Sequence, residues 1–493
     1  MTQMTAANTG DSSLTREKNQ SKKHYNLFVA LIAAVGGALF GFDTAVIAGA
    51  LIFIKQTMHP SIMEQELVVS MVVLGAFLGC ILSGKLTNRL GRKRLLIYTS
   101  WLFIIGTALC TLAPGVYSLI IGRFILGIAV GMASYSVPLF IAEISLPEKR
   151  GAMVLLNGLF LTGGQAAAFL ICYFFALHFS SEISWRLMLG FAMIPAVILL
   201  FGMIFAPASP RWLLMKGKKD EARKVLNKIR DADKVERELH EIEESFSHKE
   251  NGIKELFSKR VRPVLLIGLV IGIGQQFAGI NTVMYYGPEI FKQVGFQGAH
   301  AQIFATFGMG LVNFLFTIVC IFTVDKLGRR TLLLTGTLGA AICLLTLGAV
   351  MKAGVASVPG GQVIAVISLV CYIAFYCISL GSLFWLIIAE IYPLDVRGVG
   401  MSFVAGVQWM ANFVVASTFL TVLHTFGGGT TFWIYAGACL FLFVYVLLFV
   451  PETKGISLET IETNLKRGTP SRQLGEKYSA KPVKIASHIV TSN

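Results

Sequence analysis

The sequence predicts an all-α membrane protein of twelve transmembrane helices, arranged as two similar six-helix halves. Three observations support this prediction. Hydrophobic residues make up 55% of the 493-residue chain and charged residues only 14%, whereas soluble domains carry about 25% charged residues. Apolar runs long enough to cross a bilayer, about 20 residues each, recur along the whole chain. Two loop motifs of the first half also return in the second half.

The apolar runs are separated by short polar or charged segments. They lie near residues 27–49, 67–86, 95–113, 117–140, 153–176, 186–206, 263–286, 301–323, 332–352, 362–389, 400–424 and 431–450. A soluble core could not absorb so many uninterrupted runs, whereas a helix satisfies its own backbone hydrogen bonds inside lipid. The polar N-terminal tail lacks the apolar region of a signal peptide, so we expect the first span to stay in the chain.

The distribution of charge predicts the topology. Lys and Arg crowd alternate loops and produce a formal net charge of +15, which places both termini and the long charged loop in the cytosol. No basic face with interleaved aromatic residues is present, so a nucleic-acid partner is not expected. The predicted segments are a cytosolic tail (1–26), a first half (27–206), a cytosolic helical linker (207–261), a second half (262–450) and a cytosolic C-terminal tail (451–493).

Two pairs of loop motifs show that the halves are related. The segment starting at Asn88 resembles the one starting at Asp325, and Glu143 and Glu390 are each followed by an arginine seven residues later. Both repeats are offset by roughly 240 residues, which indicates two six-span halves in parallel orientation. Such a repeat predicts a central cavity and rocking between outward-open and inward-open states.

The repeated loops also predict a cytosolic gate. Ion pairs between them would hold the cytosolic side shut, because several pairs worth about 0–1 kcal/mol each bias two states of similar energy. The predicted gate residues are Arg89, Arg92, Glu143, Arg150, Asp325, Arg329, Arg330, Glu390 and Arg397.

Asp43 is the only ionisable side chain between Leu27 and Ala50. A carboxylate within a span costs about 2.5–3.5 kcal/mol on insertion scales and usually has a partner. Arg123, in the fourth span, is the other clear charge at membrane depth. A nearby guanidinium favours the ionised carboxylate and burial favours the neutral acid, so separating the two would load a proton. The alternatives are a static buried pair and an aspartate that reaches water at a helix end.

Amide and aromatic side chains form a candidate solute site in the spans. Amides both donate and accept hydrogen bonds and indole rings stack on C–H faces, which suits a neutral polyhydroxylated ring. The alternative is that each amide only joins helices to one another. The predicted substrate-binding residues are Gln165, Gln275, Gln276, Asn281, Tyr285, Trp385, Gln408, Trp409 and Asn412.

Over about residues 27–460 the chain resembles the sugar porter branch of the major facilitator superfamily. The motifs that carry the resemblance are Gly41-Phe-Asp43-Thr, Asn88-Arg-Leu-Gly-Arg-Lys, Arg123, Glu143 with Arg150, Pro207-Ala-Ser-Pro-Arg211-Trp-Leu, Gln275-Gln276 to Asn281, Asp325 to Arg330, Glu390 with Arg397, and Pro451-Glu-Thr-Lys-Gly455. The resemblance implies the major facilitator fold and sugar binding at the amide and tryptophan positions. It also implies a proton-coupling role for Asp43, which matches the coupling aspartate of bacterial xylose and galactose symporters. Human facilitative glucose transporters have asparagine there.

Three positions depart from the pattern of that branch. Asn88 replaces an aspartate and Ala208 replaces the glutamate of the Pro-Glu-Ser-Pro-Arg motif, which weakens the gate of the first half. Ser382 follows Gly381 where Gly-Pro is usual, so we expect the tenth span to bend less easily. All three departures bear on gating and leave the solute cluster intact.

These observations predict a symporter that imports a hexose, pentose or myo-inositol with protons across the bacterial inner membrane. A facilitative uniporter with the same site is the alternative, and a sugar sensor without transport is a second one. No nucleophile, metal or nucleotide motif points to an enzyme. The eight cysteines fall inside predicted spans, so we expect free thiols. The expected partners are the solute, protons and the bilayer; no cofactor or metal is expected, and the expected unit is a monomer.

Overall fold

The protein is described from a computed structural model, which covers residues 5–146, 150–245, 253–393, 395–456 and 458–476. Every regular element within these ranges is a helix. The first half contains α1 (Thr5–Met58), α2 (Ile62–Leu90), α3 (Arg92–Thr111), α4 (Val116–Ile144), α5 (Arg150–His178), α6 (Ser181–Gly190) and α7 (Met193–Phe205). The sixth span is therefore divided between α6 and α7. α1 begins at Thr5, so the described residues of the predicted N-terminal tail belong to the same helix as the first span.

The linker folds as four short helices, as its amphipathic pattern predicts. They are α8 (Pro210–Met215), α9 (Lys219–Ile229), α10 (Ala232–Ser245) and α11 (Ile253–Leu256). The sequence predicts an apolar stripe in the linker that includes Leu226, Leu239 and Phe246. Leu226 and Leu239 are buried, and Phe246 lies outside the described residues. We call the side of the bundle on which α8–α11 lie the linker side, and the opposite side the far side.

One buried arginine fixes the linker to the first half. Arg230 is 1% exposed, and its guanidinium donates to the carbonyls of Ile144 at 2.8 Å and Ser145 at 2.9 Å, where α4 ends. It also binds Glu238 through two nitrogens. The last carbonyls of a helix lack partners within the helix, so this side chain both caps α4 and holds α9 and α10 against it.

The second half contains α12 (Arg262–Phe277), α13 (Ile280–Tyr285), α14 (Gly287–Gln293), α15 (Ala299–Leu327), α16 (Arg329–Ala353), α17 (Gly361–Tyr376), α18 (Ser382–Ile391), α19 (Arg397–Phe449) and α20 (Leu458–Lys466). The predicted eleventh and twelfth spans both lie in α19, which changes direction at Gly427 with φ 78° and ψ 160°. Within the described residues, eleven helical stretches are long and apolar enough to span a membrane, and this change of direction separates the twelfth. The twelve-helix architecture is confirmed.

Two spans of the second half are interrupted. The seventh breaks between α12 and α13 at Gly279, whose φ of 90° is accessible to glycine at little cost. The tenth passes through a π-helical turn at Cys377–Gly381. At that turn the Ser382 hydroxyl donates to the Cys377 carbonyl at 3.1 Å.

Close packing joins helices within and between the halves. A Cβ added at Gly75 on α2 or at Gly127 on α4 would collide with the backbone of the facing helix, so these small residues allow the two helices to touch. Across the halves, α2 packs on the first segment of α19 (397–426) and α5 packs on α15. Of the residues predicted to bind the solute, Gln165 lies on α5 and Gln408, Trp409 and Asn412 lie on the first segment of α19.

Candidate functional site

The proton-coupling pair predicted from the sequence is formed. Arg123 Nη1 lies 2.8 Å from Asp43 Oδ1, and the two residues are 0% and 1% exposed. The guanidinium also donates through Nε to the Val68 carbonyl at 3.2 Å. α1, α2 and α4 thus converge on one buried charge pair, and each charge neutralises the other in a region where an isolated charge would be costly.

Part of this pair has no hydrogen-bond partner. Within the described residues, neither Asp43 Oδ2 nor Arg123 Nη2 has one. A buried polar atom without a partner is uncommon and raises the free energy of the state that contains it.

The residue that follows Asp43 in the chain contacts an amide of the candidate solute site. Thr44 follows Asp43 in α1, and Gln165 Nε2 on α5 lies 3.5 Å from the Thr44 hydroxyl. The other end of Gln165 accepts from Asn313 Nδ2 on α15 at 2.8 Å, and Cys377 Sγ donates to Asn313 Oδ1 at 2.9 Å. Gln165 therefore connects the two halves close to the charge pair.

The amides of the second half bind one another. Gln408 Nε2 donates to Gln275 Oε1 at 2.8 Å, and Gln275 Nε2 donates to the Leu380 carbonyl at 2.8 Å, beside the π-helical turn. Asn281 Nδ2 donates to Gln276 Oε1 at 2.6 Å across the break between α12 and α13. The break brings these two amides together, although the sequence pattern suggested a continuous helical face.

Tyr285 and Trp409 lie in the cluster, whereas Trp385 lies apart from it. Asn412 Nδ2 lies 3.4 Å from the Tyr285 hydroxyl, and Asn412 Oδ1 is buried without a partner among the described residues. Trp409 is 7% exposed and packs against Phe40 of the other half, with 5.6 Å between ring centroids. Trp385 packs on its neighbour Phe384 and is 46% exposed, outside the hydrogen-bonded network.

Sequence reasoning missed Asn313. It is an amide in the middle of the apolar eighth span and is 9% exposed. The argument that selected Gln165 and Gln408, that an amide in a span needs a partner, applies equally to Asn313. The signal was therefore present in the sequence.

The repeated loop motifs form ion pairs inside each half. On the linker side Arg92 Nη2 lies 2.8 Å from Glu143 Oε1, and Arg329 Nη2 lies 2.9 Å from Glu390 Oε1. The Thr453 hydroxyl donates to the same Glu390 carboxylate. These two carboxylates fix the ends of helices within their own halves, and neither of these two pairs joins one half to the other in this conformation.

The remaining predicted gate residues occupy varied positions. Asp325 pairs with the same arginine as Glu390, at 3.1 Å. Arg330 and Arg397 donate to backbone carbonyls of the second half, and Arg89 is exposed. The side chain of Arg150 lies outside the described residues. In the second half Glu390 is thus engaged by Arg329.

The substitution at Ala208 makes the halves unequal. In the second half, the Glu452 carboxylate accepts from the backbone N–H groups of Arg329 at 3.0 Å and Arg330 at 3.1 Å, where α16 starts. A carboxylate at a helix N-terminus is stabilising. The start of α3 has no such cap, and Trp212 instead donates to the Asn88 carbonyl at 3.3 Å.

The far side is closed by contacts between the halves that the sequence did not predict. Lys55 Nζ on α1 lies 2.8 Å from Glu289 Oε2 on α14. Glu66 on α2 is 4% exposed and accepts from Thr421 N at 2.7 Å and Thr421 Oγ1 at 2.9 Å. We refer to these four residues as the far-side latch. Burial alone would raise the pKa of Glu289, but the charge and hydrogen bond of Lys55 outweigh it and hold that pKa below its ordinary value.

Comparisons with known proteins agree with this geometry. The family described as "Sugar (and other) transporter" matches residues 29–465. The galactose-proton symporter of Escherichia coli K12 is 39% identical over 464 residues, covering 93% of this chain and 98% of that protein. The major myo-inositol transporter IolT of Bacillus subtilis 168 is 39% identical over 445 residues, covering 89% and 94%.

A solved structure shows a similar arrangement of helices. It is the xylose transporter XylE from E. coli in a partially occluded inward open conformation. Its TM-score is 0.78 at 30% sequence identity, and the match covers 88% of this chain and 100% of that chain.

Proposed function

The chain belongs to the sugar (and other) transporter family, and from this premise we propose that it is a proton-coupled symporter that imports a monosaccharide or polyol by alternating access. One observation carries the proposal. The buried Asp43–Arg123 pair is adjacent, through Thr44 and Gln165, to an amide cluster contributed by both halves. A proton site and a solute site that share neighbours can bias the same conformational change.

The side chains of the cluster support a neutral solute with many hydroxyl groups. Gln165, Gln275, Gln276, Gln408 and Asn412 are each at most 8% exposed and offer both donors and acceptors. Arg123, the buried cation beside them, is engaged by Asp43, so a carboxylate solute would find no free positive charge on that residue. Relatives named for galactose and myo-inositol, and a solved structure named for xylose, support hexose, inositol or pentose as the solute class.

The coupling follows from the electrostatics of the pair. Arg123 stabilises ionised Asp43 when they touch, and withdrawal of the guanidinium leaves a buried carboxylate that is more stable as the neutral acid. A proton on Asp43 thus accompanies a conformation in which the pair is separated. One proton moving down about 100 mV and one pH unit supplies roughly 3.7 kcal/mol, which is enough to hold a solute gradient of several hundredfold.

We also assign the linker side and the far side of the bundle to the two sides of the membrane. The linker side carries the alternate basic loops and is the cytosolic side by the positive-inside rule, so both termini are cytosolic and the far side faces outward in the inner membrane. The far-side latch closes the outer side. The predicted gate residues would make contacts between the halves on the linker side when that side closes.

The test uses purified protein in liposomes with an imposed proton gradient. Asp43→Asn should abolish uphill uptake of a transported sugar and leave exchange of sugar across the membrane, because the solute cluster is intact. Asp220→Asn is the matched control, since it removes a carboxylate whose side chain is 90% exposed in the linker. Uphill uptake by Asp43→Asn would disprove the coupling role.

A uniporter remains the second candidate for a specific reason. Arg123 is also anchored to the Val68 carbonyl, which favours a pair that stays in place. An uncoupler distinguishes the two functions, because it stops accumulation by a symporter and leaves downhill uptake by a uniporter unchanged. Absence of any flux across a panel of sugars would instead favour a sensor.

A further inference from the structure

A groove on the linker side has no role in solute transport as described above. It lies between the start of α12 and the end of α19, where both helices reach the membrane boundary, and it encloses about 400 Å³. Its lining includes Lys259, Arg262, Leu266, Tyr445, Phe449 and Ser471. The residues of the amide cluster do not line it, so the groove is separate from the candidate solute site.

The mouth of the groove carries two cations whose charges are not balanced nearby. Lys259 and Arg262 are both exposed, and neither forms an ion pair with any residue that the structure describes. Arg260, which lies between them in sequence, behaves differently: it binds Asp395 at 2.6 Å and Glu255 at 3.1 Å. The acidic groups of this region are thus used by Arg260, and the groove lining itself contains no carboxylate.

The walls of the groove are apolar and continue along the bilayer-facing surface. Leu266 and Phe449 are each 47% exposed. Tyr445 packs on Phe449 with 5.0 Å between ring centroids, and Phe441 packs on Tyr445 one turn farther from the linker side. A Tyr beside basic residues at a helix end is typical of the boundary between lipid headgroups and acyl chains.

We propose that this groove binds an anionic phospholipid of the leaflet on the linker side. The phosphate lies against Lys259 and Arg262, and the hydroxyls of Tyr445 and Ser471 lie within the headgroup region. One acyl chain follows Leu266 and Phe449. A soluble phosphate would use the cations and leave the apolar walls exposed, and a zwitterionic lipid would bring its own ammonium group next to them. The combination of charge and apolar surface therefore favours an anionic lipid.

The size of the effect follows from the charges. Each Lys or Arg near a membrane surface contributes about a fivefold preference for anionic lipid, so two contribute roughly 30-fold. Binding would also connect α12, which carries Gln275 and Gln276, to the second segment of α19 (428–449). The lipid would thus contact α12, a helix of the solute cluster, without touching the solute.

The experiment uses the full-length protein in phosphatidylcholine vesicles that contain a photoactivatable phosphatidylglycerol. Crosslinked peptides are mapped by mass spectrometry, and adducts are expected in residues 259–267 and 441–449. The Lys259→Gln/Arg262→Gln variant should lose these adducts by roughly 30-fold. The control variant Lys224→Gln/Lys228→Gln removes two exposed linker charges and should label like the native protein.

Three outcomes would overturn the proposal. They are equal labelling by a photoactivatable phosphatidylcholine, undiminished labelling of the Lys259→Gln/Arg262→Gln variant, and crosslinks from the groove to a second copy of the chain in place of lipid. Competition by unlabelled phosphatidylglycerol, but not by phosphatidylcholine, supports the site even if a variant proves hard to purify. None of these readouts depends on transport, so they stand apart from the test of Asp43.

Discussion

The carboxylate of Asp43 uses only one of its two oxygens in its pair with Arg123. A well-satisfied buried carboxylate would accept several hydrogen bonds and would be held ionised. Here a single charged neighbour provides most of the compensation, so the state of the carboxylate depends on the position of one guanidinium. That dependence is a property of the pair and can be measured without any transport assay.

The first prediction concerns the cost of separating this pair. Arg123→Gln should destabilise the folded protein by about 3–5 kcal/mol, because it leaves a buried charge without its partner. Arg123→Gln combined with Asp43→Asn should recover most of that loss, since no uncompensated charge remains. Thermal unfolding of the three variants, followed with a thiol-reactive dye, measures the coupling. A double variant as unstable as Arg123→Gln alone would show that the two charges do not interact in this way.

The residues of the site illustrate what the sequence could predict. Asp43 and Arg123 could be paired from sequence because they are rare charges in apolar spans, and their cost demands a partner. Glu66 and Glu289 were missed because they lie just outside the predicted spans, where a charge needs no explanation. Their partners come from the opposite half of the molecule, and no local pattern in the sequence specifies which helices meet there.

At the scale of the element, the break in the seventh span does the most to shape the solute site. α12 stops before Gly279 and α13 restarts after it, so Gln276 and Asn281 meet across the interruption. The apolar pattern predicted the presence of this span but not the break. The break depends on a positive φ and on the Tyr435 ring that packs beside the glycine, and both are set by tertiary structure.

The second prediction follows from that break. Gly279→Ala places a methyl group against the Tyr435 ring at a φ of 90°, which strains the backbone by about 1–3 kcal/mol. We expect solute affinity to fall by roughly tenfold or more, since about 1.4 kcal/mol corresponds to tenfold. Gly437→Ala is the matched control, because a Cβ there meets no atom within 4 Å. Calorimetric titration with the transported sugar measures both, and equal affinities would refute this account of the break.

The tenth span contains an irregular turn next to Ser382. Ser382 in place of proline predicts a span that bends less easily, and this stays a prediction. The helix widens at Cys377–Gly381, and the serine hydroxyl bonds to the carbonyl at the start of that turn. A hydroxyl can thus serve an irregular turn that a proline would produce by lacking an N–H.

At the scale of the whole molecule, the two sides of the bundle differ. The far-side latch joins the halves, whereas the Arg92–Glu143 and Arg329–Glu390 pairs on the linker side stay within one half. The helices match a transporter structure described as partially occluded and inward open. The latch therefore stabilises the conformation seen here relative to one that is open on the far side.

The third prediction tests the latch. Lys55→Met should shift the population toward a conformation open on the far side by up to about fivefold, since a partly exposed pair contributes about 0–1 kcal/mol. The distance distribution between spin labels at the far-side start of α2 and at the Gly427 bend of α19 measures the shift. Lys292→Met is the control, because Lys292 lies 4.0 Å from Glu289 and is 65% exposed. An unchanged distribution in Lys55→Met would exclude a gating role for the pair.

The Lys55–Glu289 pair of the latch also predicts a pH dependence. Because the pKa of Glu289 is lowered in this conformation, its contribution is present above the ordinary value near 4.5 and is lost only as the pH falls through the lowered value. In the native protein the contribution of the Lys55–Glu289 pair should thus be constant from about pH 7.5 to about pH 5.5. A change within that range would assign the titration to another group.

The anchoring of Arg230 has a mechanical consequence. Its bonds to Ile144 and Ser145 attach the linker helices to the first half, and Asn26 adds a bond to the Ile229 carbonyl. Arg260, by contrast, is tied to Asp395 in the second half. If the halves rock, α9 and α10 move together with the first half as one rigid body. The boundary between the two moving bodies then lies near the C-terminal end of the linker and not at its middle.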